Sequence, residues 1–251
     1  MILHDEKNPK AVRLVGALRA RLGADWVPPE GVAIVIGGDG FMLRTVQSHG
    51  AMRASWLGLN AGNLGFLLND AEDLDAVVEK LANHRFRVYD FPLVVAQVTL
   101  VDGTVVEERA VNDVYLERMS GQAARVRLSI DGHVVVDPLV ADGLIFATAL
   151  GSTAYAYSAG GEPLHPLLPI LQVTPICPHQ PRLPSLGLPW TARAEVEVLE
   201  VGWRPVRAVA DGRGIDNVRH VAVGLENPGV RLVYLEPHDF TGQMVRKIVR
   251  P

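Results

Sequence analysis

An α/β N-terminal domain on a parallel sheet, followed by a β-rich C-terminal domain, is the fold class the sequence predicts. Three observations carry this two-domain α+β reading. Apolar strand runs alternate with helical periodicity through the first third of the chain. Beyond about residue 86 the apolar period shifts toward two. Asp-Gly pairs then stand between apolar runs, which is a hairpin signal. The expected domains are residues 1–88, to which the segment 237–251 is expected to return, and 89–236.

Each element has a local reason. Asn8-Pro9 reads as an N-cap followed by proline at the first helical position. Val12, Val15, Leu18 and Leu22 then recur at helical spacing until Gly23. Val32-Ala33-Ile34-Val35-Ile36 is a continuous β-branched run suited to a buried parallel strand. Phe41 to His49 reads as a helix and Trp56 to Leu59 as a second short strand. Asp70 is expected to cap a helix with Leu74, Val77, Val78 and Leu81 on one face. In the second part, Val101-Asp102-Gly103 separates strands Phe91–Leu100 and Thr104–Leu116, and Asp131-Gly132 separates Arg125–Ile130 from His133–Val136. Four further β runs follow: Glu195–Val201, Val206–Ala210, Val218–Val223 and Val230–Leu235. One helical stretch is expected near Ser152–Ala159, and the Pro-rich stretch Pro163–Pro189 cannot be regular throughout.

Composition narrows the function. The 251 residues are 48% hydrophobic and 21% charged, enough apolar material for a core and too much for disorder. With 24 Lys+Arg against 28 Asp+Glu, the net charge of −4 gives no footprint for nucleic acid. The longest apolar runs reach about six residues, where a membrane span needs ~20. Met1 to Lys7 carries acids and no apolar stretch, unlike a signal peptide. The single cysteine, Cys177, excludes an intrachain disulfide and reads as a buried structural thiol. Eight scattered histidines give no zinc-ligand spacing, so no metal-ligating residues are assigned. The expectation is a soluble, cytoplasmic protein with small-molecule substrates and neither nucleic-acid nor membrane partners.

The glycine-rich turns carry the chemistry. In Val35-Ile36-Gly37-Gly38-Asp39-Gly40-Phe41, a buried strand meets three glycines and an aspartate before a helix. Glycines let the backbone approach a ligand, and helix N-terminal N–H groups favour phosphate. A carboxylate in such a cradle repels phosphate unless it binds metal, orients a hydroxyl or accepts a proton. The competing reading is that Asp39 only caps the helix. A second loop, Gly58-Leu59-Asn60-Ala61-Gly62-Asn63-Leu64-Gly65-Phe66, also follows a strand, so both turns are expected to line one crevice. Neither fits the dinucleotide fingerprint G-x-G-x-x-G, and no Walker A lysine is present. Asn112-Asp113 suits hydroxyl or base-edge hydrogen bonding, or is an ordinary turn. A third cluster runs through Ala141-Asp142-Gly143-Leu144, Gly151-Ser152-Thr153-Ala154-Tyr155 and Ser158-Ala159-Gly160-Gly161. There Ser152 and Thr153 either cap a helix beside a buried tyrosine, or the small residues admit a planar ring on which Tyr155 stacks.

Taken together, these segments resemble the NAD kinase family in order and spacing, over roughly residues 30 to 240; Pro175-Ile176-Cys177-Pro178-His179 fits as well. The Gly-Gly-Asp-Gly turn alone is shared with diacylglycerol, sphingosine and phosphofructo-kinases. The resemblance implies an NAD kinase-like fold with the NAD site between the two domains. It implies phosphorylation of the adenosine ribose 2′-hydroxyl of NAD to NADP, with Mg²⁺ and ATP or polyphosphate as donor. It also implies a homodimer or homotetramer. By the same resemblance, Asp39 is the catalytic carboxylate and Gly38 and Gly40 belong to the phosphate loop. Phe66 packs near the adenosine, and Asn112 and Asp113 hold it. Thr153, Ala154, Tyr155 and Ser158 line the dinucleotide pocket, and Asp142 contacts the nicotinamide end. Phe41, Ala149-Leu150, Asp113 (for the commoner Glu) and Glu162 depart from the family pattern. His179 and His220 are either phosphate contacts or loop histidines, and Asp211-Gly212 either a family turn or a plain hairpin. The alternatives are a lipid or other small-molecule kinase with the same turn, and a non-catalytic dinucleotide-binding sensor.

Overall fold

Val32 to Gly37 is buried along its whole length, as a strand covered on both faces must be. The computed structural model describes residues 1–23, 25–63 and 65–249; Leu64 of the second glycine loop lies outside them. The first elements are β1 (Ile2–His4), α1 (Pro9–Leu22), β2 (Val32–Gly37), α2 (Asp39–His49), β3 (Ser55–Asn60), α3 (Leu74–Ala82) and the long β4 (Phe86–Leu100). Then come β5 (Val105–Ala110), β6 (Asp113–Arg118), β7 (Ala124–Ile130), β8 (His133–Ala141) and β9 (Gly143–Thr148). A 3-10 turn (Gly151–Thr153) leads to α4 (Tyr155–Ser158), β10 (Ile170–Ile176), β11 (Leu186–Pro189), β12 (Ala194–Val198), β13 (Val206–Ala210) and β14 (Arg213–Ile215). The chain ends in β15 (Val218–Leu235) and α5 (Phe240–Val249). Two compact units result: Met1–Phe91 with Pro228–Pro251, and Pro92–Asn227.

The first unit is an α/β layer. β2 lies between β1 and β3, all parallel, and β3 also pairs in parallel with Arg231–Leu232 of β15. Ile34, Ile36, Leu57 and Leu59 of the sheet pack with Ala11, Val15 and Leu18 of α1 and Val77 and Leu81 of α3. Asn8 caps α1, its Oδ1 accepting from the backbone N–H of Lys10 and Ala11. Because Gly37 of β2 is in register with Asn60 of β3, the two glycine loops leave the sheet side by side. The second unit holds antiparallel sheets, one in the order β11-β10-β9-β6-β13-β14. The other carries β7 between β8 and β12, with β12 against the first part of β15.

The structure corrects several expectations. Asp73, not Asp70, caps α3: its Oδ1 accepts from Ala76 N, one residue before the first helical position. The strand expected over Thr104–Leu116 breaks at Val111-Asn112, because the backbone N–H groups there leave the ladder for a side chain. Val218–Val223 and Val230–Leu235 are parts of one strand. Neither Ser152 nor Thr153 caps a helix: Ser152 is buried, donating to Ala149 O and accepting from Leu164 N. Cys177 is exposed, because the chain turns with φ 44° as it leaves β10.

One buried amide ties the second glycine loop to the sheet. Asn69 donates through Nδ2 to Gly58 O (3.0 Å) and Val233 O (2.9 Å), and accepts from Leu235 N (2.8 Å). It is 3% exposed, so its loss strands backbone groups out of reach of water. Asn69→Leu is expected to lower stability by about 2–4 kcal/mol, read as a fall in thermal midpoint; a midpoint within a degree of wild type contradicts this account.

Candidate active site

In the first unit the structure brings Gly38, Asp39, Gly40 and Phe66 together. Gly38 is the N-cap of α2 and makes no side-chain cap bond, so the helix N-terminus stays open to a ligand. Asp39 is the first helical residue and does not cap the helix. Its half-buried carboxylate instead reaches the neighbouring loop. Oδ2 accepts from Phe66 N at 2.8 Å and Oδ1 from Leu67 N at 2.9 Å. Two successive N–H groups thus fix both oxygens, each a charge-assisted bond worth about 1.5–3 kcal/mol. Each oxygen keeps further lone-pair capacity, so the group can still accept from a substrate hydroxyl. Asn60 braces the loop at two glycines. Asn60 Oδ1 accepts from Gly62 N, and Gly65, at φ 60°, lies against the Asn60 side chain, where a Cβ would meet Cγ at 2.5 Å. Below the carboxylate is an aromatic cluster of Tyr89, Phe91, Tyr234 and Phe240. The Tyr234 hydroxyl is buried with no hydrogen-bond partner, and burial, with the Asp39 charge adding, raises its pKa strongly.

The second unit holds Asn112, Asp113, Asp142, Thr153, Ala154, Tyr155 and Ser158. The residue that organises the first two is Asp211, which the sequence left between a family turn and a plain hairpin. Its carboxylate accepts from Val111 N (2.7 Å), Asn112 N (3.0 Å) and Asp113 N (3.3 Å). Asn112 O in turn accepts from Thr148 N, and a Cβ at Gly151 would stand 2.1 Å from that oxygen. Only glycine lets the turn before Thr153 approach so closely. Tyr155 meets Tyr115 edge to face at 4.9 Å, so it is partnered within the unit. Thr153 and Ala154 are half-buried and Ser158 is exposed. Asp142 takes a 2.6 Å bond from Arg118 Nε, with His179 Nε2 3.9 Å away. His220 faces Glu195 at 3.8 Å.

With both sets of residues placed, comparison with known proteins is direct. A family model described as the ATP-NAD kinase C-terminal domain matches residues 111–204. An NAD kinase of Cereibacter sphaeroides is 37% identical over 243 residues, covering 95% of this chain and 94% of that one. The chain belongs to the NAD kinase family. An NAD kinase of Rhizobium meliloti is 39% identical over 82% of this chain and 79% of its own. Two solved structures share the fold. Yeast NADH kinase complexed with NADH has a TM-score of 0.78 at 21% identity, over 98% of this chain and 85% of that one. The Archaeoglobus fulgidus NAD kinase in complex with ATP has a TM-score of 0.76 at 22% identity, over 98% and 97%.

The positions read above as departing from the family pattern have these surroundings. Phe41 lies over Gly37, where a Cβ would meet its ring at 2.8 Å. Ala149 and Leu150 are buried, and the Ala149 carbonyl holds Ser152. The Glu162 carbonyl accepts from Gln172 Nε2. The sequence reading also missed Arg44, whose guanidinium folds back toward Gly40; a cation one helical turn from a phosphate-type loop was the available signal.

Asp113 is 5% exposed, and burial first, then the nearby Asp211 charge, push its pKa from 3.8 up to about 7. An acid with a raised folded-state pKa stabilises the fold least when ionised. Between pH 4 and 7 the unfolded chain releases this proton while the folded one retains it, so stability falls across that window. Asp113→Asn removes the titration. The thermal midpoint of Asp113→Asn relative to wild type is therefore expected to climb from pH 4 to pH 7, by a few kcal/mol in stability, and to stay level above. A pH-independent difference would contradict the buried-acid assignment.

Proposed function

We propose that this chain transfers a phosphoryl group from ATP or polyphosphate to the 2′-hydroxyl of the adenosine ribose of NAD, giving NADP. The observation that carries the reading is the Asp39 carboxylate, held by two backbone N–H groups beside an uncapped helix N-terminus. Family membership supports the substrate and the donor.

The chemistry follows from that geometry. A ribose hydroxyl is a poor nucleophile at neutral pH. Asp39, fixed in orientation, accepts its hydrogen bond and then its proton as the new O–P bond forms and the bond to the leaving phosphate breaks. The free N–H groups at the start of α2 stabilise negative charge on the transferred group. Gly38 and Gly40 keep that approach open. Phe66 supports the adenosine beside the carboxylate it donates to. Asn112 and Asp113, held in one conformation by Asp211, bind the adenosine part; Thr153, Ala154, Tyr155 and Ser158 line the rest, and Asp142 lies at the nicotinamide end.

Among the described residues no group of three or more His, Cys, Asp or Glu could hold a metal ion. Magnesium arriving on donor phosphates needs only one or two carboxylates, and Asp70 and Glu72 are the exposed candidates by the loop. When bound, magnesium neutralises phosphate charge. Among the described residues no helix is long and apolar enough to cross a membrane. A cytoplasmic homodimer or homotetramer completes the reading, on the strength of the family resemblance.

Incubation with NAD, ATP and Mg²⁺, followed by a strictly NADP-dependent dehydrogenase, tests the activity. Asp39→Asn is expected to lower kcat by about 10²–10⁴-fold. It also puts an amide NH₂ against one of two N–H donors, so faster hydrogen exchange at residues 65–68 accompanies the loss. Near-normal turnover by Asp39→Asn sinks the assignment, as does a wild type that forms no NADP with either donor.

A further inference from the structure

Asp70 and Glu72, named above for magnesium on the donor, line a cavity beside the glycine turn, and no cation has yet been assigned to the donor's phosphate chain. The cavity has a volume of about 550 Å³, lies wholly in the first unit, and is lined by residues including Lys10, Asn60, Gly62, Asp70, Glu72 and Arg246. It adjoins the turn that holds Asp39. Ala61 N donates to Gly37 O at 2.8 Å, and a Cβ at Gly62 would stand 3.4 Å from Gly38 Cα.

Two helices bring one cation each to this cavity, and each helix is tied to the loop by one amide side chain. Asn8, which caps α1 through Oδ1, donates through Nδ2 to Ala61 O at 3.2 Å; Lys10 follows two residues later. Gln243 of α5 is buried, and its Nε2 donates to Leu68 O at 3.2 Å and Gly65 O at 3.4 Å. Arg246 follows three residues later, one turn along the same face. Both cations are exposed, and among the described residues neither is in an ion pair.

We propose that this cavity takes the phosphate chain of the phosphoryl donor, with Lys10 and Arg246 on its oxygens. An ammonium and a guanidinium lining one cavity suit a polyanion, one as a point charge and one as a fork. Asp70 and Glu72 in the same lining oppose a bare polyphosphate and favour one that carries magnesium. The site contacts phosphate alone, so the triphosphate of ATP and inorganic polyphosphate fit equally. The inference rests on the kinase reading, in which Asp39 faces the acceptor hydroxyl while the donor approaches past Gly37 and Gly38.

Lys10→Met, Arg246→Met and the double variant test it, with Lys10→Arg and Arg246→Lys as conservative partners. With NAD saturating, the KM for ATP, and separately for polyphosphate, rises about tenfold in each single variant and about a hundredfold in the double. The KM for NAD stays within about twofold, and the conservative variants recover most of the loss. Titration calorimetry with magnesium tripolyphosphate, without NAD, shows at least tenfold weaker binding by the double variant. A rise with ATP alone assigns the site to ATP. An unchanged KM for both donors, parallel rises in the KM values for donor and NAD, equal tripolyphosphate affinity, or a wild type that binds no tripolyphosphate overturns the proposal. Binding of tripolyphosphate that depends on Lys10 and Arg246, in a protein that makes no NADP, upholds this site and defeats the NAD kinase reading.

Discussion

A carboxylate bound by consecutive backbone N–H groups is the interaction on which this architecture depends. Asp39 takes the N–H groups of Phe66 and Leu67, and through them sets where the second glycine loop runs. The same device recurs in the second unit, where Asp211 takes three N–H groups from Val111 to Asp113. In each case the carboxylate satisfies backbone donors that lie outside the sheet ladders, Asp113 at the start of β6 apart. The anion thereby fixes the course of the loop beside it.

Much of this was legible in the sequence because it rests on local rules. Asn8-Pro9, the β-branched run Val32–Ile36 and the two Asp-Gly hairpins gave the element types directly. What was not legible required a partner distant along the chain. Asp73 outcompeted Asp70 as a cap by a difference of three residues that composition does not resolve. The break at Val111-Asn112 needs Asp211, about a hundred residues away, and no periodicity records it. Cys177 reads as a buried structural thiol, yet it follows the buried strand β10 with φ 44° and is exposed. The positions of Asp39 and Asn112 just after strands were foreseeable. That the first is anchored by its own carboxylate and the second by another residue's was not.

The arrangement trades stability for readiness. Asp113 is kept under a carboxylate neighbour in a site that disfavours its charge, and the Tyr234 hydroxyl is buried with no hydrogen-bond partner near Asp39. Neither makes sense as a means of strengthening the core. The rest of each unit offsets them with ordinary apolar packing, such as Trp56, Leu57 and Leu59 in the first and Leu144, Phe146 and Leu171 in the second.

The ring of Phe41 pressed on the bare Cα of Gly37 has a consequence for how such a chain can change. The two positions are a lock and its key: any side chain at 37 collides with the ring, so the bulk at 41 has to shrink before 37 is free to vary. Changing 37 first passes through a misshapen intermediate, so every passable route runs through a smaller residue at 41 beside Gly37.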